Sequence, residues 1–138
     1  MNYWLLKTEP DDWSWEQQVK AGKKGEPWTG VRNAQARNFI REMKKGDLAF
    51  FYHTGGEKKV VGVVKVTKEA YQDPTTDDDR WLVVDVVAVE PVPEPVTLAD
   101  IKAEPKLAEM KLVKNARLSV QPVTEKEWKL VCKMGGMK

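Results

Sequence analysis

The sequence predicts an α+β fold built on a small, strongly curved sheet. Three observations lead there. Short runs of alternating or continuous apolar residues recur along the chain, most clearly at Tyr3–Leu6, Leu48–Thr54, Val60–Thr67 and Trp81–Val89. Helix starts with their own caps are inserted between them, at Ser14, Asn33, Thr97 and Thr124. No internal repeat, low-complexity tract or long linker interrupts the 138 residues. One domain spanning residues 1–138 is therefore expected, long enough to bury a core without disulfides or metals.

Taken in order, Tyr3–Leu6 reads as a buried first strand, ended by Pro10, which forces Glu9 into an extended conformation. Ser14 with Gln17 three places on is a capping box, so a short helix should run from Trp15 to about Lys20. Lys23–Pro27 is a polar loop that delivers Trp28. Asn33 caps the second helix, whose Ala36, Phe39, Ile40 and Met43 fall at i, i+3, i+4 and i+7 as one apolar stripe. Lys44, Lys45 and Gly46 close it with cations at the negative end of the helix dipole and a turn glycine.

Leu48–Thr54 and the valine-rich Val60–Thr67 should pair across the loop at Gly55–Lys59. Tyr71–Thr75 and the acidic Asp77–Asp79 form the next loop. Trp81–Val89 is apolar on both sides apart from Asp85, which argues for a central or barrel-like strand, and Pro91, Pro93 and Pro95 should stop it. Thr97 caps a helix over Leu98–Glu104, and a turn follows around Leu107–Met110. In Arg117–Val123, Leu118 and Val120 face one way and Arg117, Ser119 and Gln121 the other. Thr124 and Glu127 start a final helix reaching Cys132.

Composition narrows the chemistry. Hydrophobic content of 41% and charged content of 32% describe a globular chain. A single cysteine, Cys132, excludes an internal disulfide, suits a reducing compartment and points to the cytoplasm. A single histidine, His53, excludes a multi-histidine metal centre, so neither metal nor cofactor is expected. No nucleophile elbow, phosphate-binding P-loop or dinucleotide fingerprint is present. The net charge of +2 conceals blocks: 12 basic and 4 acidic residues from Lys20 to Lys68, then 2 basic and 10 acidic from Glu69 to Pro105. A basic first half is what a local electropositive face requires.

The stretch Trp28-Thr29-Gly30-Val31-Arg32-Asn33 combines an indole, a tight glycine, a cation and a helix start. Free amides at a helix start, beside an arginine, suit an anionic group such as a phosphate. An indole upstream can stack on a flat ring. Six tryptophans are present. Trp4 and Trp81 are expected inside core strands, and Trp128 should pack the last helix. Trp13, Trp15 and Trp28 sit in or beside loops near the basic segment, which suits stacking on an unpaired base. His53, at a strand end, could bond to backbone or to a base edge.

These motifs resemble the EVE domain. They are Tyr3-Trp4-Leu5-Leu6-Lys7-Thr8-Glu9-Pro10, Trp28-x-Gly30-Val31-Arg32-Asn33-x-Gln35-Ala36-Arg37-Asn38, Gly46-Asp47 with Phe50-Phe51-Tyr52-His53, Ala70-Tyr71-x-Asp73-Pro74-Thr75, and Arg117–Val123. They fall in that family's order and cover nearly the whole chain. The resemblance implies a PUA-like curved barrel of five or six strands with flanking short helices, related to YTH readers of methylated adenine. It implies a non-enzymatic binder of DNA or RNA carrying a modified base, such as a modified cytosine. A monomer is the expectation, although no sequence feature fixes the oligomeric state.

By analogy with YTH readers, the base pocket would include Thr8, Trp28, Val31, Asn33, His53 and Thr54. Tyr71, Asp73, Pro74, Ser119 and Gln121 would complete the rim, and Lys7, Arg32 and Arg37 would contact phosphate. Two departures bear on the ligand: Ala34 stands where many members have tyrosine, and the loop before Trp81 is short. The alternatives are an enzyme with His53 as general base and Asp73 or Asp85 as its partner, or a protein-interaction adaptor with a vestigial pocket.

Overall fold

The computed structural model describes residues 1–137. Six strands form one mixed sheet. β1 (Tyr3–Thr8) lies parallel to β3 (Leu48–His53) on one side and antiparallel to β6 (Val120–Val123) on the other. β4 (Lys59–Gln72) runs back along β3, and β5 (Leu82–Thr97) runs back along β4. The two-residue β2 (Glu26–Pro27) pairs with Val86 and Asp85 of β5. The strand order is therefore β2-β5-β4-β3-β1-β6.

The five helices are short: α1 (Trp15–Lys20), α2 (Ala34–Glu42), α3 (Leu98–Ala103), α4 (Lys111–Lys114) and α5 (Glu125–Met134). The capping boxes expected at Ser14, Thr97 and Thr124 are all formed, and the Asn33 side chain accepts from the Ala36 amide.

Curvature follows from α2. It packs on β4 and β5 near one end of the strand order and on β6 at the other, so the sheet wraps round it. The edge strands β2 and β6 are not hydrogen-bonded to each other, and the barrel stays an open, curved sheet with α2 in the gap. Inside the curve, Ala36, Ile40 and Met43 meet Trp4, Leu6, Phe51, Val64, Val84 and Val120. On the outer face, Leu5, Phe50, Tyr52 and Val63 meet Ile101, Met110, Trp128 and Val131 from the C-terminal helices. Strand alternation divides neighbours such as Leu5 and Leu6, or Phe50 and Phe51, between the two cores.

Three sequence expectations need correction. β4 runs on through Tyr71 and Gln72, with register shifts between Val66 and Lys68 and again between Lys68 and Tyr71. These irregularities bend the strand so that it follows the curve past Thr67. β5 starts at Leu82 and passes through all three prolines to Thr97. Away from β4 it is paired with another strand only at Asp85 and Val86, so a missing proline N–H costs no ladder bond on that side. Trp81 lies just ahead of β5, half-buried instead of in the core.

Gly62 is fixed by packing. A Cβ there would lie 2.4 Å from the Trp15 ring, which crosses β4 at that point and meets Phe51 edge-on at 5.3 Å.

Candidate functional site

A cleft of about 470 Å³ opens between two loops at one end of the sheet. One wall is the end of β1 and the loop after it, with Lys7, Thr8, Glu9, Asp12 and Trp13. The other is the segment from Glu26 to Gly30, with Trp28 at its centre.

Polar contacts from outside the cleft hold the first wall. The Thr8 hydroxyl donates to the Trp13 carbonyl at 3.0 Å. The Trp13 indole donates to Gln18 Oε1 at 2.9 Å, and the fully buried Gln18 amide donates in turn to the Val86 carbonyl at 3.1 Å. The Thr54 hydroxyl donates to Glu9 at 3.1 Å, and its amide donates to the Thr8 carbonyl at 2.9 Å. His53 Nε2 accepts the Trp15 amide at 3.1 Å, so the ring proton sits on Nδ1 and is given to Glu57 at 2.9 Å. Both ring nitrogens are occupied. Neither is free to pair with Asp73 or Asp85.

The second wall is held differently. The Trp28 amide donates to the Val84 carbonyl at 2.9 Å, and its ring stands edge-on to Phe51 at 5.5 Å. Only 6% of Trp28 is exposed, but its indole N–H has no acceptor among the described residues. The one fully buried, unpartnered side-chain atom among them is Gln121 Oε1, so the Trp28 N–H reaches open space. Gly30, at φ +83°, turns the chain out of the cleft and donates its amide to Asp73 at 3.2 Å.

Asp73 is a buried anchor for this wall. Burial pushes its carboxyl up, but hydrogen bonds from the Thr75 hydroxyl and amide, Arg32 and the Gly30 amide outweigh that and hold it at about 2. Arg32 Nη1 meets it at 2.9 Å and also donates to the Val31 carbonyl at 3.0 Å, while Nη2 lies 3.4 Å from the Thr75 hydroxyl. Tyr71 donates to Asp85, and burial together with that carboxylate raises the phenol to about 12.

The lining is acceptor-rich. Glu9, Asp12 and Glu26 face one amine, and Lys7 Nζ is already turned to the Ala116 carbonyl at 2.6 Å. Desolvation lowers the Lys7 pKa. Such a lining favours a neutral ring with hydrogen-bond donors over a phosphate.

Of the residues expected at the site, Lys7, Thr8 and Trp28 line the cleft. His53, Thr54 and Asp73 stand one contact behind it, through Thr8, Glu9 and Gly30, and Arg32 stands behind Asp73. Val31 is in the inner core and Asn33 spends its side-chain oxygen on the α2 cap. Pro74 is exposed in the turn after Asp73, and the Ser119 carbonyl accepts the Lys7 amide at 2.9 Å. Gln121 lies beside Leu5 on the outer face, donating to the Asn115 and Leu118 carbonyls. Arg37 lies over the Trp81 ring. The sequence reading passed over Glu26, because the short β2 that presents it has no apolar pattern. Trp13 is one of the loop tryptophans that the sequence marks for stacking, and the Thr8 and Gln18 contacts hold it in the cleft wall.

The family model described as EVE domain matches residues 2–134. The protein Atu2648 from Agrobacterium tumefaciens has a crystal structure 54% identical to this chain, with a TM-score of 0.97 over 99% of this chain and 94% of that one. Human THYN1, crystallised in complex with DNA containing 5-methylcytosine, is 33% identical with a TM-score of 0.92 over 100% and 99%. The YTH domain of Zygosaccharomyces rouxii MRB1 has a TM-score of 0.61 at 16% identity, over 97% and 86%, which is a likeness of fold.

Proposed function

Because the chain belongs to the EVE domain family, we propose that it is a non-enzymatic nucleic-acid-binding domain that takes one modified base, such as a modified cytosine in DNA, into the cleft beside Trp28. The observation that carries this reading is the cleft itself. It has the volume of a small-ligand site, two indoles in its walls and hydrogen-bonding groups around them. The likeness to human THYN1, whose structure holds 5-methylcytosine DNA, supports it.

In this reading Trp28 packs against the base and offers its free N–H, while Thr8, Trp13 and Glu26 meet the ring and its exocyclic amine. Asp73, His53, Thr54 and Gln121 act as positioning residues. Val31 and Asn33 fix the start of α2, and Tyr71, Pro74 and Ser119 frame the rim. Lys7, Arg32 and Arg37 face the sugar–phosphate chain. A methyl mark is worth about 1–3 kcal/mol of discrimination in an apolar pocket. Binding without turnover suits side chains that are already occupied: His53 has no free ring nitrogen. Burial, with help from Glu90, raises the Cys132 thiol to about 11, which keeps it protonated. That lone thiol also supports the cytoplasm as the compartment.

The test is a binding screen over marked and unmarked DNA and RNA oligonucleotides at low and high salt, with mass spectrometry of the recovered strands. The expected result is a preference for one marked base, affinity that falls with salt, and unaltered strands. Equal affinity for marked and unmarked strands would overturn the reading. So would turnover that disappears in His53→Ala.

A further inference from the structure

The protein leaves the charge of the cleft unanswered. Three carboxylates, Glu9, Asp12 and Glu26, share its lining with one amine, Lys7. None of the three takes part in an ion pair among the described residues. Glu9 receives a neutral donor, the Thr54 hydroxyl, at 3.1 Å.

The surrounding cations are engaged elsewhere. Lys7 Nζ donates to the Ala116 carbonyl at 2.6 Å, Arg32 is bound to Asp73, and Lys68 lies 4.2 Å from the Tyr71 ring centroid. Lys23 and Lys24, in the turn before β2, are exposed and make no ion pair with Glu26. Beyond Asp73, Arg37 and Arg80 flank Trp81, but Asp78 binds Arg80, Asp79 acts on it and Asp77 is next in the chain. That rim adds no positive surplus. Behind Glu26 the field is negative too: the Tyr71 phenol, raised by burial and by its bond to Asp85, is raised further by Asp73 and Glu26.

An acidic lining alone selects no ligand. Trp28 supplies the second requirement, because it is more than nine-tenths buried and its indole N–H, which has no acceptor, opens on the cleft. That donor calls for a carbonyl oxygen on the ligand, and the carboxylates call for an amine. Trp13, in the opposite wall, is half-buried and spends its N–H on Gln18, so its π surface is what it can offer. A neutral amine-bearing ring answers the hydrogen bonds of this lining and leaves its charge unanswered. A ring that also carries a positive charge answers both.

We propose that the base taken by the cleft is cationic: a base methylated on a ring nitrogen, with an exocyclic amine for Glu26 and Asp12 and a carbonyl oxygen for the Trp28 N–H. The inference rests on the reading of the cleft as a base site and names the chemical class of its occupant. 3-Methylcytosine is the simplest such base. At neutral pH it has the atoms of 5-methylcytosine plus one proton, so the two differ in charge and methyl position and hardly in size. Glu26 is half-buried, and its attraction for that charge is less screened than a surface carboxylate's.

The test uses single-stranded DNA oligonucleotides of one sequence whose central base is 3-methylcytosine, 5-methylcytosine, 3-methyluracil or cytosine. All carry the same phosphates, so backbone contacts cancel in the affinity ratios. 3-Methyluracil has the shape of 3-methylcytosine, with an oxygen for the amine and no charge. At neutral pH and low salt the 3-methylcytosine strand should bind about tenfold more tightly than either neutral methylated strand, and the ratio should shrink as salt rises. Glu26→Gln and the exposed Asp12→Asn, which keep shape and remove charge, should each lower that ratio about threefold. Circular dichroism identifies any variant that fails to fold. Binding of the 3-methylcytosine strand no tighter than that of the two neutral methylated strands would overturn the cationic ligand, as would a preference unchanged in both folded variants. If the 5-methylcytosine strand is then preferred over cytosine, the base-reading proposal stands without the charge. If no methylated strand is preferred over cytosine, both proposals fall.

Discussion

The two faces of the sheet are built by different rules. The outer face is mostly apolar, with the buried Gln121 beside Leu5 an exception: Phe50 stacks on Trp128 at 3.9 Å, and Trp128 stacks on Tyr3 at 4.6 Å. The inner side and the cleft end are apolar too, but buried polar groups are threaded through them. Asp47 receives the Trp4 indole, Gln18 receives the Trp13 indole, His53 receives the Trp15 amide and Asp73 receives the Gly30 amide. Apolar contact is non-directional and tolerates small shifts, whereas a buried hydrogen bond fixes a distance and an orientation. The outer face supplies stability. The inner side uses polar bonds to hold loops that have no sheet ladder of their own.

That contrast can be broken by experiment. Trp128→Ala should cost about 3–5 kcal/mol in denaturant unfolding, with the folded fraction keeping wild-type ligand affinity. A loss of affinity at full occupancy of the folded state would show that the faces are not separable.

Asp73 gives the next largest effect. Its folded carboxyl sits at about 2, below the usual 3.8. The stabilisation is therefore complete above about pH 4–5 and lost as pH falls through that range towards 2. It amounts to about 2 kcal/mol. Unfolding measured between neutral and acid pH should follow that course in the wild type and flatten in Asp73→Asn. The variant should also bind more weakly at neutral pH, because Gly30 and Arg32 lose their shared acceptor.

His53→Ala should cost about 1–2 kcal/mol by leaving the Trp15 amide without its acceptor. Hydrogen exchange should rise at Trp15 and in the preceding loop, and affinity should fall without any change in α5. Thr124→Ala removes a cap of the same chemical kind on the outer side and should cost about 1 kcal/mol. Ligand titration should show no change in affinity, and a change would count against the division between the faces.

The sequence revealed the frame more readily than the cleft lining. Capping boxes and the α2 stripe are local patterns, so Ser14, Asn33, Thr97, Thr124 and Ala36–Met43 could be placed from spacing alone. The ends of β4 and β5 could not, because bulges and an unpaired strand side are properties of the neighbouring strand. The motifs that carried the resemblance include Asp73, His53 and Gln121, which support loops from behind. Glu26 and Trp13 reach the cleft through β2 pairing and the Gln18 bridge, and neither leaves a periodic signature.

The open seam filled by α2 has one further consequence. A ring closed by backbone hydrogen bonds has a circumference set in whole residues, so its opening can change only in steps. Here the last joint is made of Ala36, Ile40 and Met43, and side-chain volume varies in increments of a single methyl group. Since α2 begins six residues after Trp28, changes in those three side chains can widen or narrow the cleft without shifting any strand register. One frame can then be tuned to bases of slightly different size.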